Sequence, residues 1–209
     1  ASILAEDSQH SHACFDPVKT ELIRGGDDPQ TISVELNGAE DIYLVATFGP
    51  DDYDSDQAIW AEPKLTDLDG NVIDMTTLQA VKAECGWGTL FVNTDQKLRA
   101  ITIVDQHFEK GFWAHGPSRL HFHLGGQYAK FEVTVGIDSG AGSKGSVEFQ
   151  VLSYPVAMPA PTDYAKRSGT ASSPLPVPPL SDATEFEFNA EAAQVLLDQG
   201  VEELLFVRR

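Results

Sequence analysis

Short runs of alternating apolar and polar residues, separated by turn residues, fill the middle of this 209-residue chain. TISVELNG alternates as a half-buried strand does, and DIYLVATFG is a continuous apolar run typical of a strand buried on both faces. Further strand candidates follow at short intervals: TLFVN, RAITIV, RLHFHL, KFEVTVGI and SVEFQVLS. Because no helix-length periodic segment separates them, the pattern predicts an antiparallel β-sandwich or barrel over residues 29–154.

The segment AEPKLTDLDGNVID predicts two short strands joined by a hairpin turn at Asp69-Gly70-Asn71. Its acidic residues are also spaced as in a calcium loop. The Asp-Gly turn explains the spacing better, so we expect a hairpin here.

Composition changes on both sides of this region. Residues 1–28 are polar and irregular and form an N-terminal extension, whereas residues 155–181 hold most of the prolines and predict a semi-rigid linker. Residues 182–209 predict a strand, a helix and a strand, with Asn189 as N-cap and Gly200 as helix stop. Since about 28 residues cannot bury a core alone, this tail either packs on the sandwich or begins a further domain. We favour the second interpretation.

The formal charge is −18, from 32 acidic and 14 basic residues. Such a surface repels phosphate backbones and anionic membranes, so we expect no nucleic-acid partner and no membrane insertion. No apolar run approaches the roughly 20 residues that span a bilayer. Small residues at Ala1 and Ala5 are typical of the end of a signal-peptide cleavage region, which favours a secreted or periplasmic protein. In an exported protein Cys14 and Cys85 could form one disulfide, or they could be two unrelated thiols.

The segment EKGFWAHGPSRLHFHL, residues 109–124, concentrates three histidines, a tryptophan and an arginine. We interpret it as a loop followed by a strand. On that strand His121 and His123 lie two residues apart and face one side, while Leu120, Phe122 and Leu124 face the core. The histidines could bind a metal, but no Cys is in register and no zinc motif is present, so we favour an ordinary polar strand face.

Three stretches between Gln30 and Leu152 together resemble the NPCBM family of carbohydrate-binding modules, which is grouped with carbohydrate-binding module family 51. DSDQAIWAEPKL resembles the early loop of the family, and GSVEFQVLS resembles its closing strand. KGFWAHGPSRLHFHLGGQYAKFEVTVGIDSGAG resembles its most recognisable segment, although Phe112-Trp113 stands where the family usually has a small or aliphatic residue. The resemblance implies a galactose-binding-like, discoidin-like jelly roll. It also implies a non-catalytic module of a secreted multidomain protein, with galactose-containing glycans as the first candidate ligands.

A sugar site on such a module needs an aromatic ring for the pyranose face and polar groups for its hydroxyls. The candidate residues for this site are Trp113, His115 and Arg119 from the loop and strand, and Asp56, Trp60 and Glu62 from the early loop. Alternatively, His115 and Ser118 bond the turn backbone while Trp113 fills the edge of the core.

The early loop also carries four aspartates within six residues, at positions 51, 52, 54 and 56. Close carboxylates repel one another unless a cation or solvent separates them. A structural calcium ion held by Asp52, Asp54 and Asp56 is one solution, and a solvated acidic loop is the other. We expect no other cofactor.

Catalysis by this chain alone is not expected. The sequence has no nucleophile elbow, phosphate-binding loop or dinucleotide fingerprint, and nothing places two carboxylates together in a cleft. The alternative to a glycan-binding module is a structural sandwich that docks neighbouring domains of the same polypeptide without a sugar ligand.

Overall fold

The computed structural model describes residues 14–49 and 54–158 and shows an all-β protein. Two short 3₁₀ helices, Met75–Thr77 and Ser139–Ala141, interrupt the strands. The strands are β1 (Val18–Lys19), β2 (Ile23–Arg24), β3 (Gln30–Glu35), β4 (Asp41–Ala46), β5 (Gln57–Asp67), β6 (Val72–Asp74), β7 (Lys82–Cys85), β8 (Phe91–Val92), β9 (Ile101–Ile103), β10 (Gln106–Phe108), β11 (Gly111–His115), β12 (Ser118–His123), β13 (Tyr128–Ile137), β14 (Ser146–Val147) and β15 (Phe149–Leu152).

The strands form two main sheets with antiparallel pairing. One sheet has the order β1-β15-β4-β12-β7, and the other has the order β3-β13-β5-β11-β8 with β6 attached to β5. β2 pairs with β14, and β9 pairs with β10. The predicted antiparallel β-sandwich is therefore confirmed.

The main core lies between the two sheets. Leu44 and Phe122 from the five-stranded sheet are buried in one apolar cluster with Trp60 and Phe131 from the six-stranded sheet. Trp60 meets Phe149 edge to face, with ring centroids 5.0 Å apart. Side chains alternate between this core and the outer faces, as the pleat of each strand requires.

A small third layer covers part of the outer face of the six-stranded sheet. Ile101 and Ile103 of the β9–β10 hairpin pack against Trp113 and Ile59 in a second apolar cluster. Because of this layer, one part of the outer face of the six-stranded sheet is buried in an apolar cluster. Another part forms the wall of a pocket.

The β5–β6 hairpin confirms the predicted turn. Lys64 pairs with Asp74, and Gly70 at the turn has φ 88°. Both backbone and side chain of Asn71 donate to the Asp67 carboxylate, at 2.8 and 2.9 Å, and these bonds lower the pKa of that carboxyl. The Asp67 carboxylate therefore holds the turn together through these hydrogen bonds.

Chain contacts divide the protein into two units, Ala1–Ala171 and Ser172–Arg209. β1 and β2 lie within the predicted N-terminal extension, and they pair with β15 and β14. The predicted tail and all but the first residues of the predicted linker lie outside the described residues. Within the described part of the chain, no helix has the length and hydropathy needed to cross a membrane.

Candidate functional site

The segment that we expected to be a ligand-binding loop is a strand in the interior of the six-stranded sheet. β11 pairs with β5 on one side and with β8 on the other, and all five of its residues are buried. Phe112 points into the main core, and Trp113 points the opposite way, into the third layer. The loop interpretation of this segment was wrong, because the β9–β10 hairpin covers the second face of β11.

Trp60 and Trp113 are both fully buried, at 0% exposure. Trp60 belongs to the core between the sheets, and the Trp113 indole Nε1 donates a hydrogen bond to Asp138 Oδ2 at 2.9 Å. Since neither ring has a face open to solvent, the stacking role is wrong for both residues, and the alternative in which Trp113 fills the edge of a core is confirmed.

Two further candidates lie away from this end of the sandwich. Arg119 is on the outer face of the other sheet, where its Nε donates to Glu84 Oε2 at 2.8 Å and its guanidinium also bonds the Val156 carbonyl. Glu62 lies in the middle of β5 and forms an exposed ion pair with Lys64 at 3.1 Å. The structure therefore does not bring Arg119 or Glu62 together with His115.

Asp56 does lie beside His115, but it is buried and has a structural role. Its Oδ1 accepts a bond from the Ser146 amide at 2.8 Å, and its backbone carbonyl accepts one from Gly116 at 2.6 Å. These bonds join the start of β5, the turn after β11 and the start of β14. Asp56 thus fixes the loops around the site.

His115 ends β11 and is 7% exposed. Its Nδ1 lies 2.7 Å from the Gly116 carbonyl oxygen, which can only accept, so Nδ1 carries the proton and Nε2 is the acceptor. Burial lowers the pKa of His115, against the opposing effects of the Gly116 carbonyl and Asp54. The imidazole is therefore neutral near pH 7.

Trp87 is the aromatic residue that the sequence analysis missed. Its ring is 56% exposed and meets the His115 ring at a centroid distance of 5.6 Å and an angle of 61°. It lies between Gly86 and Gly88 in the segment after β7. That Gly-Trp-Gly context was the available signal, because a tryptophan between glycines belongs to a turn, and turns lie at the surface.

A pocket of about 590 Å³ opens at the same end of the six-stranded sheet. Polar side chains from three segments line it: Asp95 and Arg99, then Thr102, Asp105 and His107 of the hairpin, then Asp138 and Ser139. Sequence analysis singled out none of these residues, although Asp138 and Ser139 lie within the segment that carries the family resemblance.

The two buried carboxylates of this pocket differ in their electrostatic surroundings. Burial raises the pKa of Asp138, even though Gly140 and Trp113 donate to it at 2.6 and 2.9 Å. For Asp95 the cost of burial is outweighed by bonds from Arg99 and Lys97, and its pKa is lowered. Arg99 Nε lies 2.7 Å from Asp95 Oδ2, so the guanidinium neutralises Asp95 at the pocket wall.

The register of the sheet places the Trp87–His115 pair and the pocket on one surface. His115 is opposite Gln57 in the β11–β5 pair, and the Asp138 amide donates to the Gln57 carbonyl at 2.9 Å. Alternation along the three strands puts His115, Gln57 and Asp138 on the same outer face. Two strand spacings, about 10 Å, separate His115 from Asp138.

Comparison with known protein families identifies the family of this chain. The profile of the NPCBM/NEW2 domain matches residues 16–66 and 71–169, which is most of the chain. The chain belongs to the NPCBM/NEW2 domain family. No curated protein and no solved structure gave a significant match. NPCBM domains are classed as carbohydrate-binding modules, so the family supports a binding role for the chain.

The NPCBM/NEW2 match starts before β1 and extends past β15. The short strands β1 and β2 are therefore part of the matched region, together with the first described residues after the last strand.

No metal site is assembled by the described residues, in which no three His, Cys, Asp or Glu side chains are grouped to hold an ion. His121 and His123 share one face as predicted, and both reach Asp41, at 2.9 and 3.2 Å. Asp52, one of the three candidate calcium ligands, lies outside the described residues, so calcium binding stays a prediction.

The structure contains no disulfide between Cys14 and Cys85. Both are free thiols, with Cys14 exposed and Cys85 partly buried. Burial raises the pKa of Cys85 to about 11, which keeps it protonated at neutral pH.

Proposed function

We propose that this chain is a non-catalytic carbohydrate-binding module of a secreted or periplasmic multidomain protein, and that a glycan stacks on Trp87 beside His115. The observation that carries the proposal is the exposed indole of Trp87, which meets a buried, neutral histidine at a loop end of the sandwich. A pyranose presents an apolar face that packs on an indole, and a hydroxyl can donate to the imidazole Nε2.

The charge of the molecule is consistent with such a ligand. At −18 the chain disfavours anionic partners, whereas a neutral sugar meets no electrostatic barrier. Galactose-containing glycans remain the first candidates, because the family resemblance points to them. Affinity at one shallow site is expected to be weak and to gain from multivalent presentation.

The test is a titration of the chain with galactose, glucose, N-acetylgalactosamine and oligosaccharides that end in each of them. Calorimetry should give a saturable isotherm for at least one ligand, and Trp87→Ala should weaken it by about tenfold or more, the loss of an aromatic contact. Leu68→Ala is the matched control, since Leu68 is 71% exposed and lies in the turn between β5 and β6, away from Trp87 and from the pocket. If Trp87→Ala binds the glycan with unchanged affinity, Trp87 is not the stacking residue and the proposed site is wrong.

Calcium is tested in the same experiment by repeating the titration with added calcium and then with a chelator. Dependence of binding on calcium would give the acidic loop with Asp52, Asp54 and Asp56 a role as ion site. Identical isotherms in both conditions would remove calcium from the proposal.

A second candidate is a module that docks neighbouring domains of its own polypeptide. The observation that favours it is an apolar cluster on the outer face of the five-stranded sheet, formed by Tyr43, Val45 and Leu152, against which Val156 packs. Arg119 also bonds the Val156 carbonyl, so the segment after β15 already lies on this face. Absence of binding across the glycan series, together with binding to separately produced neighbouring domains, would select this candidate.

A further inference from the structure

The pocket beside the proposed sugar site has no role in the function proposed so far. Its walls carry a guanidinium, a hydroxyl, an imidazole and carboxylates, from Arg99, Thr102, His107, Asp138 and Asp105. Thr102 Oγ1 and His107 Nδ1 lie 2.9 Å apart, so the hairpin wall presents a hydrogen-bonded polar pair. The cavity wall therefore carries both donors and acceptors.

This chemistry fits a neutral polyhydroxyl ligand. A carboxylate has about four lone-pair positions, so Asp138 can still accept from hydroxyls while it accepts from Trp113 and Gly140. Arg99 offers donors beyond those that engage Asp95, and paired donors and acceptors suit vicinal hydroxyl groups. An anionic ligand is disfavoured, since the lining that the described part of the chain supplies includes three aspartates and one arginine.

The position of the pocket relative to Trp87 indicates that a sugar in the pocket would belong to the same oligosaccharide as the sugar on Trp87. It lies on the same outer face and at the same end of the sheet as Trp87 and His115, with Gln57 between them. The separation of about 10 Å from His115 to Asp138 is longer than one sugar ring and suits adjoining residues of one oligosaccharide.

We propose that the cavity lined by Arg99, Thr102, His107 and Asp138 is a second subsite, so that the module binds an oligosaccharide with one sugar on Trp87 and a further sugar in the cavity. This inference rests on the proposed glycan site at Trp87. It assigns to that site a ligand class, neutral oligosaccharides of two or more residues, and it predicts that chain length sets the affinity.

The experiment compares galactose with galactose-terminated disaccharides and trisaccharides, and does the same for glucose and N-acetylgalactosamine. Calorimetry on the wild-type chain should show an increase in affinity of about tenfold from monosaccharide to oligosaccharide, as expected for a few additional hydrogen bonds. Arg99→Gln and His107→Ala should remove most of this gain and leave monosaccharide affinity unchanged. Trp87→Ala should weaken both ligand classes.

The two pocket variants are chosen so that the fold survives. Asp95 keeps its bonds from the backbone amides of Lys97 and Arg99, at 2.7 and 2.9 Å, when the guanidinium is removed. His107 lies on the exposed hairpin strand β10, so truncation of its ring leaves no buried cavity. The melting temperature of each variant is measured alongside.

Fluorescence gives an independent readout. In Trp87→Phe only the buried Trp60 and Trp113 remain, and Trp113 is bonded to Asp138 at the pocket. An oligosaccharide in the cavity should therefore change the emission of Trp87→Phe, and galactose alone should not.

The outcomes separate the two proposals. Equal affinities for monosaccharides and oligosaccharides, or oligosaccharide binding unchanged in both pocket variants, would overturn the second subsite while the Trp87 site stands. If no glycan binds the wild-type chain, the proposed function fails and the subsite fails with it.

Discussion

At the scale of single residues, alternation along two neighbouring strands decides what each tryptophan can do. Trp60 and Trp113 lie on adjacent strands but face opposite sides of the sheet, and each is enclosed by a different apolar cluster. Their indole N–H groups differ as well. Trp113 donates to Asp138, whereas Trp60 Nε1 has no hydrogen-bond partner among the described residues.

This difference gives a matched pair of substitutions. Trp113→Phe and Trp60→Phe remove similar volume from a core, but only Trp113→Phe removes a hydrogen bond to a buried carboxylate, at a cost of about 1–3 kcal/mol. Urea unfolding should therefore show a larger loss of stability for Trp113→Phe. An equal or larger loss for Trp60→Phe would show that the Trp113–Asp138 bond contributes little.

His115 predicts a pH dependence of stability. Burial holds its pKa below the ordinary value, so between the two values the unfolded chain binds more protons than the folded one. Its contribution to stability is therefore intact above about pH 6.5 and is lost as pH falls towards the lower folded pKa. His115→Gln should remove this loss.

The measurement is urea unfolding of wild type and His115→Gln at about pH 7.5 and about pH 5.5. The raised pKa of Asp138 acts with the opposite sign, but both proteins share this group. The difference between the two proteins isolates His115. A wild-type protein that loses no more stability than His115→Gln on acidification would contradict the assignment.

At the scale of elements, the sequence predicts strands well where one face meets the core and the other meets solvent. β12 shows this, with Leu120 and Phe122 buried and His123 exposed, and so does the Asp67–Asn71 turn. The sequence does not predict β11 as a strand, because a third layer covers its outer face. Both faces of β11 are therefore buried, and its residues do not alternate between apolar and polar. That layer depends on contacts between distant segments, which no local pattern records.

The candidate site was predictable in part for the same reason. His115 was found because a histidine beside a Gly-Pro turn is visible in the sequence, and the structure places it at the loop end of the sandwich. Trp87, Arg99 and His107 were not found, since they come from turns and a hairpin that only the fold brings to one face. The predicted stacking residues, Trp60 and Trp113, have the aromatic rings that a sugar site needs, but both rings are buried.

The contact between the hairpin and the sheet can be tested at Gly136 of β13. A Cβ at this position would lie 2.6 Å from Ile103 Cγ2, so Gly136→Ala forces the β9–β10 hairpin away from the sheet. We expect a loss of about 1–3 kcal/mol, as for other overpacked core positions. Ile103→Ala alone should also destabilise the protein, by leaving a cavity.

The double substitution completes the test. When Ile103 is already alanine, the clashing atoms are gone, and Gly136→Ala should cost little more. Chemical unfolding of all four proteins gives the coupling free energy. Additive losses would mean that the hairpin does not pack on Gly136 as described.

At the scale of the whole molecule, the proposed glycan site lies at one end of the sandwich, whereas the formal charge belongs to the whole chain. The −18 formal charge gives a repulsive field for anions, and among the described residues that line the pocket Arg99 is the one that opposes it. The module should therefore distinguish glycans by charge before it distinguishes them by hydroxyl stereochemistry.

Salt separates this long-range effect from direct contacts. Affinity for a neutral oligosaccharide should change little with ionic strength, whereas its sulfated counterpart should bind more weakly at low salt and recover as salt rises. The Debye length falls from about 30 Å at 0.01 M to about 3 Å at 1 M, so repulsion from distant carboxylates is screened over that range. Arg99→Gln should weaken the sulfated ligand further at low salt, because it removes the cation of the pocket. Tighter binding of the sulfated ligand at low salt would show that local contacts, rather than the net charge of the molecule, select the glycan.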